Sequence, residues 1–142
     1  MTTVPRLTRR LTRQESLALL GSASMGRVVF THHALPAIRP VNHVLDEDTI
    51  IIRSHLGAAI VGHTDQAQGA VVAYEADDID PVSHLGWSVV VTGTARLVRD
   101  PGVLERYKDV LRPWVDGEMD HVVSITPDLV TGVRLVAGEP GP

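Results

Sequence analysis

Cysteine is absent from the 142 residues, which excludes disulfides, thiolate metal sites and a cysteine nucleophile. That absence fits a reducing cytoplasm, the expected location. Aromatic residues make up only 4%, so Val, Ile, Leu and Ala have to build the core. Lysine occurs once, as Lys108, and asparagine once, as Asn42. No apolar run approaches the ~20 residues that a membrane-spanning helix needs. The basic start MTTVPRLTRRLTRQES has no hydrophobic signal core behind it. A net charge of −4 gives no bulk attraction to nucleic acid. Neither a membrane nor a nucleic acid is expected as a partner. Catalytic signatures are missing too: there is no G-x-G-x-x-G, Walker loop, G-x-S-x-G or H-E-x-x-H.

What is present is a pattern of short β-branched runs. Hydrophobic residues at 44% and charged residues at 21% describe one globular domain over residues 1–142. Arg6, Arg9, Arg10 and Arg13 make the start basic, and residues 1–11 are expected to form a solvated or partly ordered arm. TRQE at Thr12 to Glu15 matches a capping box, so a helix is expected from there to Leu20, stopping at Gly21. GRVVFTHH, AIRPVNHVL and TIIIRS read as three strands, with HALP and Asp46–Asp48 as the turns between them. GAAIVGH reads as a short helix or turn. GAVVAYEAD and WSVVVTGTARLV read as the fourth and fifth strands. Asp100 followed by Pro101 marks a helix start, with the helix running through PGVLERYKDVLRPW. HVVSITP and LVTGVRLVAG read as two closing strands. Six or seven short strands joined as hairpins point to a β-barrel or sandwich and exclude a doubly wound parallel sheet.

Few residues stand out for chemistry. The seven histidines lack ligand spacing, and His32-His33 sit in a turn, where exposure to solvent is the expected state. Glu75, Asp77, Asp78 and Asp80 lack the glycine and spacing of a calcium loop, so no metal is expected there. Trp87, after Gly86 at a strand start, reads as a core or interface anchor. The remaining stretch, RPVNHVLDEDTIIIRSHLGAAI, carries two strand arginines, Arg39 and Arg53. Pro40 removes an amide donor, so its strand is irregularly paired there. A planar ligand can take main-chain hydrogen bonds at such a place, and Asn42 offers both a donor and an acceptor. Ser54 can cap the short helix that follows, and an arginine fork suits phosphate. An ordinary surface ion pair for Arg53 and a plain capping role for Ser54 explain the same residues equally well.

The order MGRVVF…RPVN…TIIIRS…GAAI…VVAYEADDID…GWSVVVTGTARLV resembles the pyridoxamine 5'-phosphate oxidase-like family of flavin-binding split β-barrels. It is most similar to the small branch of nitroimidazole-reductase-like proteins. The resemblance spans about Leu11 to Ala137. It implies a mainly β fold, a six-stranded antiparallel split barrel with a few short helices, and a homodimer with FMN in the grooves between subunits. It implies that Arg39, Pro40, Val41 and Asn42 lie along the isoalloxazine and ribityl chain. Arg53 and Ser54 would then meet the phosphate, and Trp87 and Ser88 would line the flavin pocket. Many relatives carry a lysine for the phosphate in the turn after the third strand, where this chain has Ala59 in GAAI. A deazaflavin coenzyme and haem, used in the wider superfamily, are the alternative cofactors. The activity implied is an FMN-dependent oxidoreduction with a small-molecule substrate or electron donor. The other class of function is a non-catalytic flavin, deazaflavin or haem carrier.

Overall fold

The computed structural model describes residues 5–62, 68–112 and 121–138. Its elements run β1 (Leu7–Leu11), α1 (Arg13–Ser22), β2 (Met25–His32), β3 (Leu35–Asp46), β4 (Thr49–Ser54), α2 (Gly57–Val61), β5 (Ala70–Ile79), β6 (Gly86–Leu97), α3 (Pro101–Val110) and β7 (His121–Val136). The strands lie in the order β1-β7-β4-β3-β2-β5-β6, and β6 pairs with β7 as well. Six strands therefore close a ring, with β1 added along β7 outside it. Every pairing is antiparallel.

The ring is split on one side. β4 meets β3 only where His43–Asp46 face Thr49–Ile52. Residues Leu35 to Asn42 pair with β2 and have no strand on their other edge among the described residues. β-Branched alternation explains which faces are buried. Val28, Ile50, Ile52, Val72, Val89, Val91, Val123 and Ile125 point into the barrel with Tyr74 and Trp87. α1 closes the same core with Leu17 and Leu20. A smaller cluster lies beneath α3, where Leu111 packs on Ile51 and Val122 with Val44, Leu104 and Tyr107 around it.

The local signals produced their elements. Thr12 accepts from the Glu15 amide, and the Glu15 carboxylate accepts from the Thr12 amide, completing the capping box. Asp100 accepts from the Val103 amide at 3.0 Å, with Pro101 opening α3. Three boundaries differ from the sequence reading. Leu7–Leu11, expected in the arm, pairs with β7 as a strand. The two closing strands are one strand of 16 residues. Between Thr92 and Gly93 the register with β7 shifts from Leu129 to Pro127, so Asp128 is an extra residue and Pro127 sits at a bulge. The α1 helix continues past Gly21 to Ser22. Pro113 and Trp114 of the expected late helix, and His63 of the expected short one, lie outside the described residues.

Candidate functional site

The β3–β4 hairpin turns at Glu47 and Asp48, both with positive φ (48° and 66°), as a two-residue turn requires. Its register then sorts the side chains by face. Ile50 and Ile52 enter the barrel core, while Ile51 packs beneath α3. By the same alternation Arg53 faces α3. Its Nη1 donates to the carbonyls of Lys108 at 3.2 Å and Leu111 at 3.0 Å. Asn42 Nδ2 donates to the Arg112 carbonyl at 3.1 Å. Two of the sequence-selected residues thus hold the C-terminal end of α3, whose carbonyls lack helical partners. Asp46 fixes the helix at a further point, accepting from Tyr107 Oη at 2.5 Å and Arg106 Nη2 at 3.2 Å. The bond to the Asp46 carboxylate, with some burial, pushes the Tyr107 phenol up.

Ser54 is buried, and its Oγ accepts from the Leu56 amide at 3.0 Å. Across from it stands His121, whose Nδ1 is buried with no hydrogen-bond partner among the described residues. Gly57 permits this approach, since a Cβ there would lie 2.3 Å from His121 Cβ. Arg39 and Pro40 are exposed, and Val41 is half-buried against the core. Arg39 Nη1 donates to the neighbouring Ile38 carbonyl at 2.7 Å. Arg39 to Asn42 therefore lie on the stretch of β3 that, among the described residues, has strand pairing on one edge only.

Trp87 and Ser88 are separated from this hairpin by the intervening strands. Trp87 is 8% exposed in the barrel core, as an anchor would be. Ser88, its neighbour on the strand, faces outward between Asp77 and Val133. The outer face continues through Val90, Thr92 and Leu129. Arg27 lies there as well, 3.2 Å from Glu75 and 3.6 Å from Asp77. Asp80 accepts from the Val82 and Ser83 amides, which hold its carboxyl below the usual range. The acidic run is thus used in an ion pair and a turn. Among the described residues no three His, Asp or Glu side chains group as metal ligands.

One polar constellation escaped the sequence reading. His43, 3% exposed, and Tyr74, fully buried, meet inside the barrel, with Tyr74 Oη 2.5 Å from His43 Nδ1. His43 Nε2 lies 2.8 Å from the Leu20 carbonyl at the end of α1. A carbonyl only accepts, so Nε2 carries the proton and Nδ1 accepts from the phenol. Burial pushes His43 down, opposed by the bond to Leu20, and burial pushes Tyr74 up. The available signal was register: His43 alternates with Val41 and Leu45, both packed on the core.

Comparison with known proteins agrees with this fold. The family model described as pyridoxamine 5'-phosphate oxidase matches residues 12–134. An uncharacterised protein of Mycobacterium tuberculosis is 52% identical over 129 residues, covering 89% of this chain and 85% of its own length. The crystal structure of a candidate pyridoxamine 5'-phosphate oxidase from Corynebacterium glutamicum superposes with a TM-score of 0.75 at 32% identity, covering 92% of this chain and 99% of that one. An FAD-binding protein from Mycobacterium smegmatis does so with a TM-score of 0.67 at 31% identity, covering 89% and 99%.

Proposed function

This chain belongs to the pyridoxamine 5'-phosphate oxidase family, and on that premise we propose that it binds FMN and works as a flavin-dependent oxidoreductase. The observation that carries the reading is the edge of β3 from Leu35 to Asn42, open among the described residues. Main-chain groups on such an edge can bond the polar rim of a planar heterocycle, as another strand would. Arg39, Pro40, Val41 and Asn42 line the ring in this reading, and Ser54 stands at the end of the adjacent strand. Once bound, the flavin supplies the electron transfer, and the protein supplies orientation and electrostatics. That division of labour agrees with the absence of nucleophile motifs in the sequence.

The outer sheet face is the surface for a second copy. Ile38, Val90, Leu129 and Val133 are exposed there, around the Arg27–Glu75 pair. A homodimer through this face brings the partner's Ser88 and Val90 toward the open edge, completing a pocket that one chain leaves unfinished.

FAD is the second reading for the cofactor, favoured by the 31% identical FAD-binding relative. The visible spectrum of the purified protein, with and without added flavin, tests the proposal. Flavin absorption is expected, with a Soret band marking haem instead. Mass spectrometry of the cofactor released by denaturation separates FMN, FAD and a deazaflavin. A colourless protein that titrates with no flavin overturns the reading.

A further inference from the structure

Trp87 stands at an end of the barrel where two clefts meet. One, of about 500 Å³, lies between the β5–β6 hairpin and the end of β7, with Asp78, Asp80, Trp87 and Arg134 in its lining. The other, of about 310 Å³, lies between the end of α1, the start of β2 and the end of β5, with Ser22, Ser24, Asp77, Asp78 and Trp87 in its lining. Asp78 and Trp87 belong to both, so the clefts adjoin across them. Each volume is that of a small-molecule site.

Strand register explains what gathers there. Asp78 pairs with Trp87, and Trp87 with Arg134. Residues directly opposite in an antiparallel ladder share a face. A carboxylate, an indole and a guanidinium therefore stand in one row, the two charges separated by two strand spacings, roughly 10 Å between backbones. Trp87 is 8% exposed, yet its Nε1–H has no hydrogen-bond partner among the described residues. The fully enclosed side-chain polar atom left unpaired among those residues is His121 Nδ1, so the indole N–H opens onto the clefts. Indole only donates, and what completes it is an acceptor.

The flanking charges are also open. Neither Asp78 nor Arg134 makes a side-chain hydrogen bond or ion pair among the described residues. Asp80 accepts from the Val82 and Ser83 amides, and Asp77 pairs with Arg27, which leaves Asp78 as the carboxylate for a ligand. Arg9 follows Arg134 in the row. Bonds to Thr12 hold Glu15 below the usual carboxylate range, and Arg9 and Arg134 add to that, so two cations share one carboxylate. The row is thus negative at its β5 end and positive at its β7 end.

We propose that these clefts bind a small zwitterion, its ammonium at Asp78, its carboxylate at Arg134 and the Trp87 N–H, and a short aliphatic spacer across the indole. The site is distinct from the β3 edge and stands whether or not a flavin binds there.

Isothermal titration calorimetry of the full chain with δ-aminovalerate, valerate and pentylamine tests this. The zwitterion is expected to bind roughly tenfold or more tightly than either singly charged analogue. Arg134→Gln is expected to weaken δ-aminovalerate to the level of pentylamine, with pentylamine binding no more weakly than before. Asp78→Asn is expected to weaken it to the level of valerate, with valerate held as before. Trp87→Phe removes the N–H and should weaken valerate while leaving pentylamine unchanged. A disrupted fold would lose every probe together, whereas these losses are selective. Failure of δ-aminovalerate to bind overturns the proposal. So do equal affinities for the three probes, or affinities that the substitutions leave untouched. Displacement of bound δ-aminovalerate by FMN overturns it as a separate site.

Discussion

At the residue scale, the His43–Tyr74 pair has the clearest consequence. Free in an unfolded chain, His43 titrates near its ordinary value of 6.5. In the barrel, burial holds it lower. Below about pH 6.5 the unfolded chain therefore takes up a proton that the folded chain resists. The stabilisation present above that pH is lost as pH falls through the folded value. Thermal unfolding followed from pH 7.5 to 5 should show the melting temperature dropping in the wild type. His43→Leu should flatten the drop over that window. An equal drop in both proteins places the acid sensitivity elsewhere. Tyr74→Phe leaves His43 Nδ1 without its donor in a buried site, an expected loss of ~1–3 kcal/mol. Gly26 belongs to the same locus, since a Cβ there would come 2.6 Å from the Tyr74 ring and 2.5 Å from the Glu75 carbonyl.

At the element scale, α3 is held at both ends by side-chain hydrogen bonds. Asp100 caps its start, and Arg53 takes the carbonyls at its finish. Asp100→Ala should cost about 1 kcal/mol, and Arg53→Ala ~1–3 kcal/mol, both read from urea midpoints. A neutral result for Arg53→Ala means that Asn42, Asp46 and the packing of Leu111 hold the helix end without it. The elements were also where sequence patterns spoke most clearly and failed most instructively. TIIIRS was legible to the residue and its turn to within one, Asp46 being the last residue of β3, because a β-branched run between turn residues has few other solutions. Pro127 read as a break because proline normally ends regular pairing, and a bulge absorbed it instead. β1 was illegible because Leu7–Leu11 shows too little apolar alternation, and its place is set by β7. The direction of Arg53 was the subtlest loss. Pattern placed it on a strand, but only the register of Ile50, Ile51 and Ile52 against two separate cores turns it toward α3.

At the scale of the whole molecule, the exposed face around Val90 sets the expected assembly. Sedimentation should give twice the chain mass of 15.4 kDa. Val90→Glu puts a second carboxylate directly across from Glu75 and should shift the mass toward one chain, with circular dichroism unchanged. Flavin affinity should fall with it, because the proposed pocket draws on both copies. A dimer that tolerates the substitution puts the interface on another face. The ring itself depends on β7, the last strand among the described residues, which borders β1, β4 and β6 at once. Ile50 meets Ile125 and Leu7 meets Val136, contacts between positions far apart in the chain. Folding is therefore expected to be slow for a domain of this size, with closure as its late step. During synthesis, until β7 leaves the ribosome, β4 and β6 each present an unpaired edge. That interval is when the nascent chain is most exposed to aggregation.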